Sequence, residues 1–283
     1  MTDTTLLPTA RPVLKWAGGK SQLLPEIFSR LPKQFHRYHE PFVGSGAVFF
    51  ALGPEHASLA DTNRHLIRLY LDIQTNPEAL AQELQLLEAE FNSAPSERKK
   101  AMYLDRRAEF NSSEEDSIRQ SGLMVFLNKT GFNGMYRENS KGKFNIPFSG
   151  RETVNLPTSD HIASCQQVLE GAEILHSEFE SVLDRVGTND LVYFDPPYVP
   201  VSDTSSFTTY QAGGFNQTDQ ERLAEVVKEL DRQGVFVLLS NSDSPAARAL
   251  YQDLRIDQVF ARRSINSKSS GRGAVAELLV RNY

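Results

Sequence analysis

The stretch from Tyr38 to Asp61 constrains the fold of this 283-residue chain more than any other. Tyr38–Val43 reads as a short strand that runs into the glycine turn Gly44-Ser45-Gly46. The apolar run Ala47–Leu52 follows as a helix, and Ala57–Ala60 as a second short strand ending at Asp61. A strand, a glycine turn, a helix, a strand and a terminal acid open a nucleotide-type α/β sheet. Glycines behind the first strand let the backbone approach a ligand closely, but the run is not the full dinucleotide fingerprint. Taken alone it is equally a tight turn. Asp61 stands where a ribose-binding acid is expected, and equally where a helix N-cap would stand.

Beyond Asp61 the pattern changes. Leu66, Leu69, Tyr70 and Ile73 recur at helical spacing, as do Leu80, Leu84, Leu87 and Phe91. Asn76-Pro77 marks a helix start, Ala94-Pro95-Ser96 a break, and Glu115–Leu127 a further helix. From Thr62 to about Lys129 the chain is helical and acidic with no strand signal, which suits an insert. Thr130–Gly150, rich in Gly, Asn and aromatics, reads as a loop or hairpin at its end. Strands return at Glu173–His176, Leu191–Phe194 and Val235–Ser240. They alternate with helical segments near Ser181–Arg185 and Asp219–Arg232. Ile256–Ala261 and Ala274–Arg281 close the chain as an antiparallel pair. The expected fold is a Rossmann-like α/β sheet, mostly parallel with an antiparallel last strand. One unit spans 1–65 and 155–283. A helical insert spans 66–154, with its hairpin loop at 130–150.

Asp195-Pro196-Pro197-Tyr198 follows the strand Leu191–Phe194 directly, and ligands of open α/β sheets bind beyond the carboxyl ends of the strands. Proline donates no backbone hydrogen, so the Pro196 and Pro197 carbonyls are expected to face the site as acceptors without competing donors. An aromatic amino group carries two hydrogens. The Asp195 carboxylate and the Pro196 carbonyl suit holding both, and Tyr198 suits stacking on the ring that bears it. The segment Lys15-Trp16-Ala17-Gly18-Gly19-Lys20-Ser21 echoes the end of a P-loop, but the spacing is incomplete and no strand precedes it. His36 and His39 are expected as surface histidines, because a metal site needs more ligands; no metal is expected.

The bulk numbers exclude several classes. An apolar fraction of 40% and a charged fraction of 23% are ordinary for a soluble globular chain. No apolar stretch reaches a membrane span, and Met1–Pro12 reads as a disordered lead-in without a signal-peptide core. A single cysteine, Cys165, rules out an internal disulfide and fits a reducing cytoplasm. A net charge of −6 alone argues against a polyanionic partner. Three basic segments offset it: Arg11–Lys20, Asn128–Arg151 (with Lys129, Arg137, Lys141, Lys143 and Arg151) and Ala261–Gly273 (with Arg262, Arg263, Lys268 and Arg272). They form either one basic face or ordinary solvated loops.

Taken together these stretches resemble the Dam-type, D12 class of DNA adenine-N6 methyltransferases, and among them the double-strand GATC methylases of DpnII-type restriction–modification systems. Lys15–Lys20 matches the family's K-W-A-G-G-K, Glu40–Gly46 its E-P-F-V-G-x-G, and Ala60–Asn63 its A-D-x-N. Asn128–Pro147 matches its recognition segment and Val192–Tyr198 its V-Y-x-D-P-P-Y. Ser240-Asn241, Lys268–Gly273 and Glu277-Leu278-Leu279 match its end. D-P-P-Y alone also occurs in RNA methyltransferases; the N-terminal motif and the insert point to the DNA enzymes. RNA, or another nucleobase amino group, is the alternative acceptor.

The resemblance implies S-adenosyl-L-methionine as cofactor, with no metal, and double-stranded DNA as partner. Trp16, Lys20, Asp61 and Asp195 would bind the cofactor, with Phe42, Gly44 and Phe179 lining the same pocket. Asp195, Pro196 and Tyr198 would hold a flipped adenine. Lys15, Phe132, Asn133, Met135, Arg137 and Pro147 fall on positions that read or wedge GATC. Three departures bear on phosphate contacts and flanking preference: Phe132 for a frequent Tyr, Asn128-Lys129-Thr130 for N-R-Y, and Phe148-Ser149-Gly150 after the proline. A monomer acting in the cytoplasm, without membrane contact, is the default expectation.

Overall fold

A computed structural model describes residues 10–112, 117–198, 215–262 and 274–283 of the chain. Its centre is the strand β1 (Tyr38–Glu40), all of whose residues are buried. The strand is shorter than the expected Tyr38–Val43 because Pro41 has no N–H to continue the ladder. The chain still follows the sheet for two residues, and Val43 N donates to Ala60 O at 2.9 Å.

β1 pairs in parallel with β2 (Ala57–Asp61) on one side and β4 (Leu191–Phe194) on the other. β3 (Ala172–His176) extends the sheet beyond β2, and β5 (Phe236–Ser242) beyond β4. β7 (Ala274–Arg281) runs antiparallel between β5 and β6 (Arg255–Arg262). The order is therefore β3-β2-β1-β4-β5-β7-β6, the expected mostly parallel sheet with an antiparallel last strand. The strand order reverses at β1 and β4, so the crevice beyond their carboxyl ends is where a ligand belongs. The glycine turn and Asp195–Tyr198 both leave the sheet there.

The helices form where the apolar spacing asks for them. α2 (Ala47–Leu52) starts at Gly46 and stops at left-handed Gly53. α3 (Arg64–Thr75) is capped by the Asn63 side chain, which accepts from Leu66 N at 3.0 Å. α4 (Pro77–Ser93) starts at Asn76-Pro77 and buries Leu80, Leu84, Leu87 and Phe91. α6 (Ile118–Thr130) is buried along nearly its whole length and packs against α3, α4 and the intervening α5 (Ser96–Ser112). α5 gave no periodic signal because its buried set is only Lys99, Tyr103 and Phe110. It docks through polar bonds instead: Lys99 Nζ to Phe91 O at 2.7 Å and Tyr103 Oη to Ile146 O at 2.7 Å. The five-residue α1 (Leu24–Phe28) is too short to show a helical period. α7 (Ser159–Leu169) packs on α3 and α4, α8 (Gln217–Arg232) packs on β5, and α9 (Pro245–Leu250) completes the set among the described residues. None of the described helices is long and apolar enough to cross a membrane.

Two expectations are settled by burial. His39 is not a surface histidine. It sits fully buried in β1 and shares a 3.0 Å hydrogen bond with Asp190, because the middle of a central strand leaves a side chain no route to water. His36 is exposed. Cys165 lies buried in α7, where loss of solvation pushes its thiol up to about 12, which suits packing rather than nucleophilic chemistry.

Candidate active site

The turn after β1 builds one wall of the site. Gly44 has φ 46°, a left-handed conformation, and a Cβ placed there would lie 2.9 Å from Trp16 Cδ1. Only glycine lets the turn lie against the indole. Gly44 N donates to Asp61 Oδ2 at 3.1 Å, Asn63 N donates to Asp61 Oδ1 at 2.9 Å, and Tyr70 Oη donates to Gly44 O at 2.7 Å. Asp61 is thus no helix cap; Asn63 takes that role. Burial pushes the Asp61 carboxyl up, and the backbone N–H groups of Asn63 and Gly44 oppose the shift. A carboxylate offers about four acceptor sites, so beside these backbone donors it has capacity for a ligand hydroxyl.

The end of β4 builds the opposite wall. Lys20 Nζ lies 2.8 Å from Asp195 Oδ1, donates to Gly18 O at 2.5 Å, and stands 4.7 Å from the centre of the Tyr198 ring. Burial pushes the Asp195 carboxyl up, while the Lys20 ammonium pulls it back toward the ionised form. Tyr198 Oη donates to Glu277 Oε2 at 2.6 Å. The two proline carbonyls part company. Pro197 O accepts from Gln220 Nε2 at 2.8 Å, which corrects the expectation that neither meets a donor. Gln220 is buried on α8 and could not be seen from a local motif. Among the described residues no donor meets the Pro196 carbonyl.

Between these walls lies a cleft of about 1180 Å³. At one end Phe42 and Phe179 stack at 5.3 Å, with Phe215 edge-on to both and the Arg222 guanidinium 5.3 Å from the Phe179 ring. Aromatic rings, then the Asp61 carboxylate, then the Lys20–Asp195 pair make a surface suited to a nucleoside-type ligand with a charged tail. Trp16, Lys20, Phe42, Gly44, Asp61, Phe179, Asp195, Pro196 and Tyr198 all line this cleft. Sequence reasoning named no role for Tyr136, Glu40 or Glu277. Tyr136 stacks on Trp16 at 5.4 Å with the rings 22° apart, joining the cleft to the hairpin. Only its position beside Arg137 in the recognition segment could have drawn notice.

Glu40 is buried at the wall of the cleft and accepts from Tyr38 Oη at 2.7 Å. Burial, joined by the nearby Asp195 charge, raises its carboxyl from 4.5 to about 8. The folded chain therefore binds more protons here than the unfolded chain between those two values. Stability falls as pH rises through that window and levels off above it. Glu40→Gln removes this slope. In thermal melts the wild type is expected to lose several degrees of midpoint relative to the variant between about pH 5 and pH 8. Parallel pH profiles for the two proteins would refute it.

The six positions expected to read DNA lie outside the cleft, on the adjoining surface. Asn128 Oδ1 accepts from Lys15 N at 3.0 Å, and its Nδ2 donates to Lys15 O and Gly134 O, both at 2.9 Å. Lys15 packs so closely on Gly134 that a Cβ there would lie 2.7 Å from Lys15 Cδ. Phe132 N donates to Pro147 O at 2.9 Å, and the Arg137 guanidinium is held by Asn145 Oδ1 at 2.7 Å. Phe132 is 51% exposed, Asn133 has φ 57°, Arg137 and Pro147 are exposed, and Met135 is half-buried. Arg11, Lys15 and Arg151 stand close enough to Lys129 to add to the effect of burial in lowering its ammonium. Two of the three basic segments therefore meet. Most of the third, with the match at Lys268–Gly273, lies outside the described residues, as does most of the lead-in Met1–Pro12.

The family model for the D12 class N6 adenine-specific DNA methyltransferases matches residues 16–265. The Type II methyltransferase M1.LlaDCHI of Lactococcus lactis subsp. cremoris is 40% identical over 278 residues, covering 96% of this chain and 95% of its own. The Type II methyltransferase M.MjaIII of Methanocaldococcus jannaschii is 38% identical, covering 96% and 99%. A DNA adenine methylase of Vibrio cholerae is 36% identical, covering 95% of both.

Proposed function

Because this chain belongs to the D12 class of N6 adenine-specific DNA methyltransferases, we propose that it methylates an adenine flipped out of duplex DNA within GATC, using S-adenosyl-L-methionine. The observation that carries this reading is the meeting of Asp61, the Lys20–Asp195 pair and Tyr198 in one cleft at the strand-order reversal. The cofactor, when bound, supplies a sulfonium-activated methyl group. Phe42 and Phe179 suit its base, Asp61 its ribose hydroxyls, and Gly44 the close backbone approach. Trp16, Lys20 and Asp195 would complete its site.

For the acceptor, the Asp195 carboxylate and the Pro196 carbonyl hold the two amino hydrogens and leave the nitrogen lone pair free. The Lys20 ammonium, 2.8 Å away, opposes the upward push of burial on Asp195 and favours its ionised, accepting form. Tyr198 stacks on the extruded ring, a contact worth roughly 1–3 kcal/mol. That repays part of the few kcal/mol that unstacking costs. The proton displaced from the amino nitrogen leaves to solvent. Positioning of this kind supplies about 7–11 kcal/mol of barrier reduction without a covalent enzyme intermediate.

Arg137 suits a bidentate contact with a guanine edge, Met135 and Pro147 a thymine methyl, and Phe132 with Asn133 the gap left in the stack. Lys15 joins this surface, and Lys129, Arg11 and Arg151 suit the phosphates beside it. The test is to incubate the protein with methyl-labelled cofactor and duplex DNA, single strands or RNA, then to digest methylated plasmid with nucleases sensitive to GATC adenine methylation. Label on RNA alone, or full cutting by a nuclease that GATC methylation blocks, would sink the corresponding part. Arg137→Ala is expected to cost about 1–3 kcal/mol of discrimination, a preference for GATC over single-base variants relaxed by roughly tenfold or more.

A further inference from the structure

The antiparallel pairing of β7 with β5 sets Glu277 opposite Ser242 and Leu278 opposite Asn241. β5 runs beside β4 in parallel, with Leu239 opposite Phe194. Glu277 therefore stands at the rim where β4 gives way to Asp195. Leu278 and Leu279, both fully buried, hold the strand in that register. A one-residue slip would turn the carboxylate to the other face of the sheet.

At that rim the segment Asp195–Tyr198 is held at three points. Lys20 takes Asp195. Gln220 takes the Pro197 carbonyl and is itself held by Asn241, whose Nδ2 donates to Gln220 Oε1 at 3.2 Å. Glu277 takes the Tyr198 hydroxyl at 2.6 Å. The Lys20 ammonium caps the Tyr198 ring, so hydroxyl and ring are both anchored. A phenol at the end of a loop otherwise has rotamer freedom, and fixing it in advance removes an ordering cost from the binding step.

We propose that Glu277 is a positioning residue for methyl transfer, holding the Tyr198 ring at the angle at which it stacks on the acceptor base beside Asp195. The proposal rests on the acceptor reading given above. Glu277 touches neither substrate nor methyl donor; it acts through Tyr198. Gln220 and Asn241 do the same for the proline turn.

Five proteins test it: wild type, Glu277→Ala, Glu277→Gln, Tyr198→Phe and the Glu277→Ala/Tyr198→Phe double variant. Losing a hydrogen bond to a charged acceptor predicts a kcat lower by about tenfold in Glu277→Ala, with the KM for cofactor little changed. Glu277→Gln keeps an acceptor and is expected to recover most of the rate. The double variant is expected to be no slower than the slower single variant, because both remove one interaction. An unimpaired Glu277→Ala, or effects that multiply in the double variant, overturns the proposal. A second readout needs no methyl transfer: the ring carbon bearing the hydroxyl, ¹³C-labelled in tyrosine and assigned to Tyr198 by its loss in Tyr198→Phe. Its resonance is expected to match in wild type and Glu277→Gln and to move in Glu277→Ala. An unmoved resonance overturns the role of Glu277, whereas a wild type inactive on DNA overturns only the acceptor reading.

Discussion

Asp195→Ala is expected to cut methyl transfer by about 10³-fold or more, a loss typical when a preorganised polar partner of the reacting group is removed. Two effects combine. The acceptor amino group loses the carboxylate that takes one of its hydrogens, and Lys20 loses the partner that orients its ammonium. The charge left orphaned is Lys20, which is only 5% exposed. The stability cost is then about 3–5 kcal/mol, that of removing one partner of a buried pair. The residues proposed for recognition lie on a separate surface around Lys15, Phe132 and Arg137, so duplex binding is expected to survive. Single-turnover transfer and fluorescence anisotropy with a labelled duplex measure the two separately. Turnover near the wild-type rate would refute the role of Asp195, and joint loss of DNA binding would refute the separation of the two surfaces. The wild-type rate should also fall on the acid side as Asp195 protonates. That limb should lie above the ordinary aspartate value, since burial raises this group.

Gly44→Val is expected to abolish useful cofactor binding, raising Kd by about 100-fold or more. The backbone there is left-handed, which costs a residue with a Cβ roughly 1–2 kcal/mol. The larger cost is contact. The new Cβ would lie 2.9 Å from Trp16 Cδ1, and the two methyl groups beyond it need still more room. Either the indole leaves its stack on Tyr136 or the turn moves and breaks the Gly44–Asp61 bond. Both disturb the cleft. Calorimetric titration with cofactor reads the loss, and a thermal midpoint lower by several degrees is expected with it. Gly150→Ala is the control: it too sits at positive φ, with nothing within 4 Å of its Cβ, and lies away from the cleft. Equal loss of binding in both variants would show backbone strain, rather than the Trp16 contact, to be the cause.

Much of the architecture was written locally. A period-2 or buried run followed by Gly-Ser-Gly, and a buried run followed by Asp-Pro-Pro-Tyr, each announce a strand end with a ligand-facing turn. The heptad-like spacing from Leu80 to Phe91 announces α4 because burial there falls on one face. α5 was silent because it is held by Lys99, Tyr103 and Arg119 partners rather than by an apolar stripe. His39 was misplaced because a three-residue central strand is too short to show its period, and its partner Asp190 lies 151 residues away.

The sequence by itself determined the family, the α/β class and the residues that line the cleft, since motif residues carry their chemistry in their own side chains and sit at strand ends. What only the tertiary structure decided is how those residues are held. The Pro197 carbonyl is spoken for by Gln220, Asn63 rather than Asp61 caps α3, and Glu277 reaches Tyr198 from 79 positions further along the chain. Trp16 and Tyr136, 120 positions apart in the chain, meet face to face and join cleft to hairpin. Such partners depend on sheet order and on the register of β7 against β5. Both are set by long-range packing that no local spacing encodes.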